Sequence, residues 1–159
     1  MNSELGQYEL SFLHNPVFWS GLTSWFLAQF LKVMIALFDR KHRSPGYYLY
    51  LFLWSTGGMP SSHSALVTAV AFAIGYTDGF GSNLFIAILC FALLTVRDAV
   101  GVRRSAGQQA RTLNLLGGDL KEKLDISYMP VKEVNGHTVT ESLMGMVLGF
   151  FIATAFCYL

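Results

Sequence analysis

Between residues 17 and 38 the chain carries one charged side chain, Lys32, and the segments 62–76, 84–102 and 140–159 are almost as free of charge. About 20 apolar residues is the length at which an α-helix crosses a bilayer with its backbone hydrogen bonds satisfied internally. The pattern therefore predicts an all-α integral membrane bundle of about four transmembrane helices. Residues 62–76 are short for a span, so they either cross through tilt or local thinning or form a half-buried helix. Residues 47–54 are too short to cross, and are expected as an interfacial or re-entrant piece leading into Gly57-Gly58-Met59-Pro60. Composition agrees, with 53% of residues hydrophobic and 13% charged, against about 25% charged in soluble domains. At 159 residues the chain has the length of one membrane domain, 1–159.

The net charge of +1 excludes nothing by itself, but its placement does. If the four segments span, all eleven Lys and Arg residues lie at or near one membrane face: Lys32, the Arg40-Lys41-x-Arg43 loop, and the region from Arg97 to Lys132. The opposite face has Glu4, Glu9 and Asp78 and no positive charge. The positive-inside rule puts the basic face in the cytoplasm and both termini outside. No cleavable signal peptide is expected, because the first residues hold Glu4 and Glu9 where a basic n-region would stand. Cys90 and Cys157 sit inside apolar runs, where a free cysteine is a small hydrophobe, and neither has metal-ligand spacing.

The one sizeable polar stretch, 105–135, places Leu113, Leu116, Leu120 and Leu124 at helical spacing among charged residues. It reads as one or two amphipathic helices at the cytoplasmic surface, broken at Gly117-Gly118, or as a solvated linker helix.

Two histidines stand at the starts of apolar helices. Pro60-Ser61-Ser62-His63 follows two glycines, and Ser61 or Ser62 can cap the helix, whose free N–H groups favour anions. A plain helix start with an interfacial His63 explains the same residues. Gly136-His137-Thr138 opens the fourth segment with Glu141 four residues after the histidine, on the same helix face. A carboxylate there holds an imidazole in one tautomer, whereas the simpler reading has Glu141 only favouring the positive helix start. Gly145 and Gly149 continue that face, so it points into the bundle or into a homodimer. Lys32 can snorkel to the basic face. Arg97, Arg103 and Arg104 end the third segment; their guanidinium groups can clamp phosphate or merely follow the positive-inside rule, and Asp98 can pair with a neighbour.

Together these residues resemble a known family. Gly57-Gly58-Met59-Pro60-Ser61-Ser62-His63-Ser64-Ala65, Arg97-Asp98-Ala99-Val100-Gly101-Val102-Arg103-Arg104 and Gly136-His137-Thr138-x-x-Glu141 look like the divergent branch of the type-two phosphatidic acid phosphatase and vanadium haloperoxidase superfamily. Gln108, Gln109 and Leu113-Asn114 fit the same branch. The resemblance implies that His137 is a nucleophile, Glu141 its orienting acid and His63 the acid that protonates a leaving alcohol. It also implies that Ser61 and nearby amides, with Ser62, Lys32 and one of Arg97, Arg103 and Arg104, hold phosphoryl oxygens. Three features depart from the parent pattern. Arg40 follows Lys32 one place late and without a proline, Val131 stands where the third motif's arginine belongs, and the helices are fewer. Arg103 or Arg104 would have to fold back over the polar insert, and a dimer would complete the site.

The expected activity is hydrolysis of a lipid or polyprenyl phosphate monoester through a phosphohistidine, with no metal or cofactor and no nucleic acid partner. The alternatives are a non-catalytic lipid-phosphate binding or transport component that keeps the anion site, and a scaffold that oligomerises through Gly145-x-x-x-Gly149. Peroxidase chemistry fits poorly, since no peroxide pocket is evident.

Overall fold

The computed structural model describes residues 12–38, 44–54, 57–134 and 136–159. It is all-helical over these residues apart from connecting turns and one extended segment. A 3-10 turn, Phe12–His14, leads into α1, Pro16–Phe38. Asn15 caps α1 by accepting from the Val17 N–H at 2.8 Å, and Pro16 takes the first helical position, where a missing N–H costs nothing. The expected short piece forms α2, Pro45–Trp54, again opened by a proline, and it packs on α1 with the rings of Phe26 and Phe52 6.1 Å apart. Then follow α3, Ser62–Asp78, and α4, Asn83–Arg97, joined by a turn in which Gly79 takes φ 92°. Last are α5, Arg103–Leu124, and α6, Val139–Tyr158.

α3 sits at the centre, with α1, α4 and α6 packed around it. Its first and last turns fix the direction of its neighbours. The Ser61 N–H donates to the Glu141 carbonyl at 2.9 Å at one end, and Tyr76 meets Thr154 and the ring of Tyr158 at the other, so α3 and α6 run parallel. Lys32 reaches Ser62 while Gly21 faces Leu66 and Val70, so α1 runs antiparallel to both. The ends of α1 and α4 therefore meet the beginnings of α3 and α6 at one end of the bundle.

Small residues make this packing close. Ala65, Ala69 and Ala73 of α3 and Ala28 of α1 are fully buried. A Cβ on Gly145 would strike the Ser61 carbonyl, and one on Gly149 the Ala65 carbonyl. The Gly145/Gly149 face is thus filled by α3 of the same chain. Of the two occupants left open by the sequence, the bundle is the one observed.

Among the described residues three helical stretches are long and apolar enough to cross a membrane: Pro16–Phe38, Asn83–Leu124 and Val139–Tyr158. The fourth expected span, α3, has 17 residues, about 25 Å at 1.5 Å per residue, against a hydrocarbon core of about 30 Å. Its neighbours enclose it, so it need not face lipid along its length. By contrast α4 exposes Leu84, Ile86, Phe91, Leu93 and Leu94, a surface suited to hydrocarbon and not to water.

The polar insert departs from expectation. No break occurs at Gly117-Gly118: α4 and α5 form one 42-residue helix, interrupted only by a π turn at Asp98–Val102. Gly117 is tolerated mid-helix because its bare backbone is covered by the ring of Tyr128. After Asp125, which ends α5 in the left-handed conformation, residues 126–134 and 136–138 return along α5 as an extended strap. Arg40, Lys41, Arg43, Glu4 and Glu9 lie outside the described residues.

Candidate active site

The site lies at the end of the bundle where α1 stops and α3 and α6 start. Ser61 is the N-cap of α3: its Oγ accepts from the Ser64 N–H at 3.3 Å and from the Ser64 hydroxyl at 3.1 Å. The Ser61 N–H is used by the Glu141 carbonyl, whereas the amides of Ser62 and His63 have no partner among the described residues. They are open donors at the positive end of a helix.

Lys32 does not snorkel. Ser20, Ser24, Ala28 and Lys32 recur every fourth residue along the buried face of α1, so the lysine points inward. It is 3% exposed, and its Nζ donates to Ser62 Oγ at 3.2 Å. Its charge acts on both Glu141 and His137. A positive charge buried in an apolar bundle is costly unless something anionic offsets it.

His137 owes its position to two devices that involve no recognisable motif. The first is the π turn. In an α-helix the Arg103 N–H would bond the Ala99 carbonyl, but here it bonds Asp98, one residue further back. The freed Ala99 carbonyl accepts the His137 N–H at 3.0 Å. The second is the strap. The Asn114 side chain grips the backbone of Val131 on both sides, donating to its carbonyl and accepting from its N–H, each at 2.8 Å. It also donates to Glu133 at 3.0 Å. Further along, the Val134 carbonyl lies against Gly107, and Gly136 lies on the backbone of Arg104. A side chain at 107 or 136 would lift the strap off the helix.

The His137 ring is buried, with Nδ1 3.2 Å from Glu141 Oε2. The same carboxylate oxygen accepts the Thr138 N–H at 2.9 Å, and Thr138 Oγ1 accepts the Glu141 N–H, completing a capping box. Glu141 therefore both starts α6 and orients the histidine; the two readings of it are one arrangement. A carboxylate only accepts, so Nδ1 carries the proton and Nε2 presents its lone pair. Nε2 is buried with no partner among the described residues. Such an atom costs about 1–3 kcal/mol when left unmet. Burial lowers the His137 pKa below its usual value, with Lys32 and Arg103 acting the same way and the bond to Glu141 opposing. The ring is thus neutral at neutral pH.

His63, half-buried on the first turn of α3, faces it with ring centroids 6.3 Å apart. Arg103 forms an ion pair with Asp98, Nε to Oδ2 at 2.6 Å, and its charge acts on both histidines. Arg103, Arg104 and Arg97 are all exposed, and Arg104 serves through its backbone as the seat of Gly136. Lys32, Ser61, Ser62, His63, His137 and Glu141 are thereby drawn together and Arg103 acts on both histidines through its charge, while Arg97 and the Arg104 side chain make no contact with the group among the described residues. Val131 holds its strap position through its backbone, with its side chain turned outward.

Sequence reasoning passed over Asn114 as a clamp, the Ala99 carbonyl, and the buried polar atoms of Gln29 and Ser142. Only the capping box had a local signal, Thr138-x-x-Glu141. Among the described residues no group of three or more His, Cys, Asp or Glu side chains is placed to hold a metal.

Comparison with known proteins places these features in a family. The family model described as the Divergent PAP2 family matches residues 13–152, which include every residue of the cluster. An uncharacterized membrane protein of Bacillus subtilis (strain 168), YuiD, is 34% identical over 150 residues, covering 87% of this chain and 92% of that protein. No solved structure matches.

Proposed function

The chain belongs to the divergent PAP2 family, and from that premise we propose that this integral membrane protein is a metal-independent phosphatase of a lipid or polyprenyl phosphate monoester. The carrying observation is His137: buried and neutral, its Nδ1 is tied to Glu141 while Nε2 is left unpartnered beside a second histidine and a buried lysine.

In this reading Nε2 attacks phosphorus as the P–O bond to the alcohol breaks. His63, protonated, gives its proton to the leaving oxygen, and phosphohistidine and free alcohol result. His63, now neutral, takes a proton from water as the water oxygen attacks phosphorus. Phosphate leaves, and the His137 lone pair and the His63 proton are restored. Glu141 stabilises the positive ring that forms on attack. The transition state disperses charge over the equatorial oxygens, so positioning and positive charge supply most of the acceleration. The open amides of Ser62 and His63, the Ser61 and Ser62 hydroxyls, Lys32 and Arg103 are the donors for those oxygens. Arg103 is the preferred arginine because its charge acts on both histidines, although Asp98 must share it. The positive-inside rule turns this end to the cytoplasm in a multi-pass single domain of the cytoplasmic membrane.

The test is phosphate release from a panel of alkyl, prenyl and diacylglycerol phosphates by purified protein. Wild type should release phosphate with vanadate inhibition, His137→Ala should abolish it, and Arg103→Ala should reduce it far more than Arg97→Ala. Saturable binding without turnover, dependent on Arg103, would instead establish the lipid-phosphate binding or transport component.

A further inference from the structure

A cavity of about 330 Å3 opens beside the cluster, between the last turns of α1 and the middle of α6. Leu31 and Ile35 form one wall, Met144, Leu148 and Phe151 the other, and Pro60 closes the end nearest the site. No polar surface lines it. From Met144 to Phe151 it descends two helical turns, about 10 Å at 1.5 Å per residue. Ile35, Met144 and Phe151 are 47%, 48% and 63% exposed, so the cavity is a groove open on its outer side.

We propose that this groove holds the hydrocarbon chain of the substrate next to its phosphate, making the site one for a single alkyl or prenyl chain running down the α1–α6 seam. The inference rests on the phosphatase reading, because it takes the phosphate to lie at the histidines. Continuity carries it. Leu31 precedes Lys32, and Pro60 precedes Ser61, so the wall of the groove and the donors of the anion site are consecutive residues on the same two elements. A chain leaving a phosphate held there enters the groove without crossing polar surface, and its far end can pass through the open side into the bilayer. The larger apolar cavity of about 620 Å3, between α6 and α3 and α4, shares Val147 and Phe151 with the groove but lacks this continuity with the anion site. Its walls, such as Leu89 and Phe150, adjoin none of Lys32, Ser61 and His63.

The experiment uses the full chain in nanodiscs with a single-chain alkyl phosphate that bears a diazirine a few carbons from the phosphate, and the matching alkyl alcohol as control. Illumination should attach the phosphate probe to residues around Leu31–Ile35 and Met144–Leu148, with at least about tenfold less labelling by the alcohol. Leu148→Trp, which fills the groove, should remove that labelling and lower the ratio of kcat/KM for a long-chain phosphate over phenyl phosphate by about tenfold or more. Leu89→Trp, in the larger cavity, should change neither. Labelling around Leu89 and Phe150, or equal labelling by the alcohol, overturns the proposal. The labelling is read without turnover, so it decides the groove even if no compound releases phosphate, a result that would defeat the phosphatase reading alone.

Discussion

Replacing Asn114 by Ala tests whether the strap holds the candidate nucleophile in place. The substitution removes two 2.8 Å hydrogen bonds to the Val131 backbone and a third, at 3.0 Å, to Glu133. The Glu133 contact is on the surface and contributes little. The two backbone bonds contribute about 1 kcal/mol each. Losing both favours local opening of the strap by about 2 kcal/mol, or about 30-fold, since 1.4 kcal/mol is a factor of ten. The bundle is untouched, because α5 packs on the π turn and strap and not on α1, α3 or α6. Amide hydrogen exchange should therefore speed up by about 30-fold at Val131 and its neighbours, with the core of α3 unchanged and the thermal midpoint little altered. Phosphate release should fall through kcat, because His137 is joined to the strap through Gly136 while the anion donors stay where they are. Asn114→Asp keeps the acceptor for the Val131 N–H and loses the donor, so it should give an intermediate increase. Unchanged exchange at Val131 together with full activity in Asn114→Ala would refute the positioning role.

Lys32→Met keeps the volume and removes the charge. A lone buried charge is costly, so this variant should melt at or above the wild-type temperature while phosphate release falls by about 10²-fold or more; a lower melting point with normal activity would mean that Lys32 is structural. His137, with its folded pKa lowered, binds fewer protons than the unfolded chain below about pH 6.5. Its contribution to stability is thus complete above that pH and lost as pH falls towards the folded value, and a His137→Gln variant should show a shallower loss of thermal stability between pH 6.5 and 5. Gly149→Leu should destabilise the chain by about 1–3 kcal/mol or prevent folding, since its side chain meets the Ala65 carbonyl, and this is read by thermal unfolding in detergent.

Much of this molecule is legible without coordinates. The long uncharged runs leave an α-helical bundle as the available answer, because a bilayer offers backbone groups no other partner. Histidines at the starts of two helices, with lysine and arginines at the same level, mark the end that carries the candidate site. Thr138 and Glu141 announce the start of α6 by spacing alone. These features are local, or follow from a count along one helix, so periodicity and capping rules reach them.

What tertiary structure decided concerns direction and reach. Lys32 was free by sequence to turn outward to the basic face, and only the stripe of Ser20, Ser24 and Ala28 packing on α3 turns it inward. Gly145 and Gly149 would suit a second chain as well as α3, and only the position of the Ser61 and Ala65 carbonyls shows which one fills the face. The polar insert looked like helices broken at two glycines. It is one helix, because Tyr128 comes from beyond the turn to cover Gly117. The freed Ala99 carbonyl and the Asn114 clamp depend on contacts between residues 17 to 38 positions apart, which no local pattern encodes. Apolar periodicity names the face a helix buries; what it is buried against, and which backbone group is left open to receive a histidine, is set only when the elements pack.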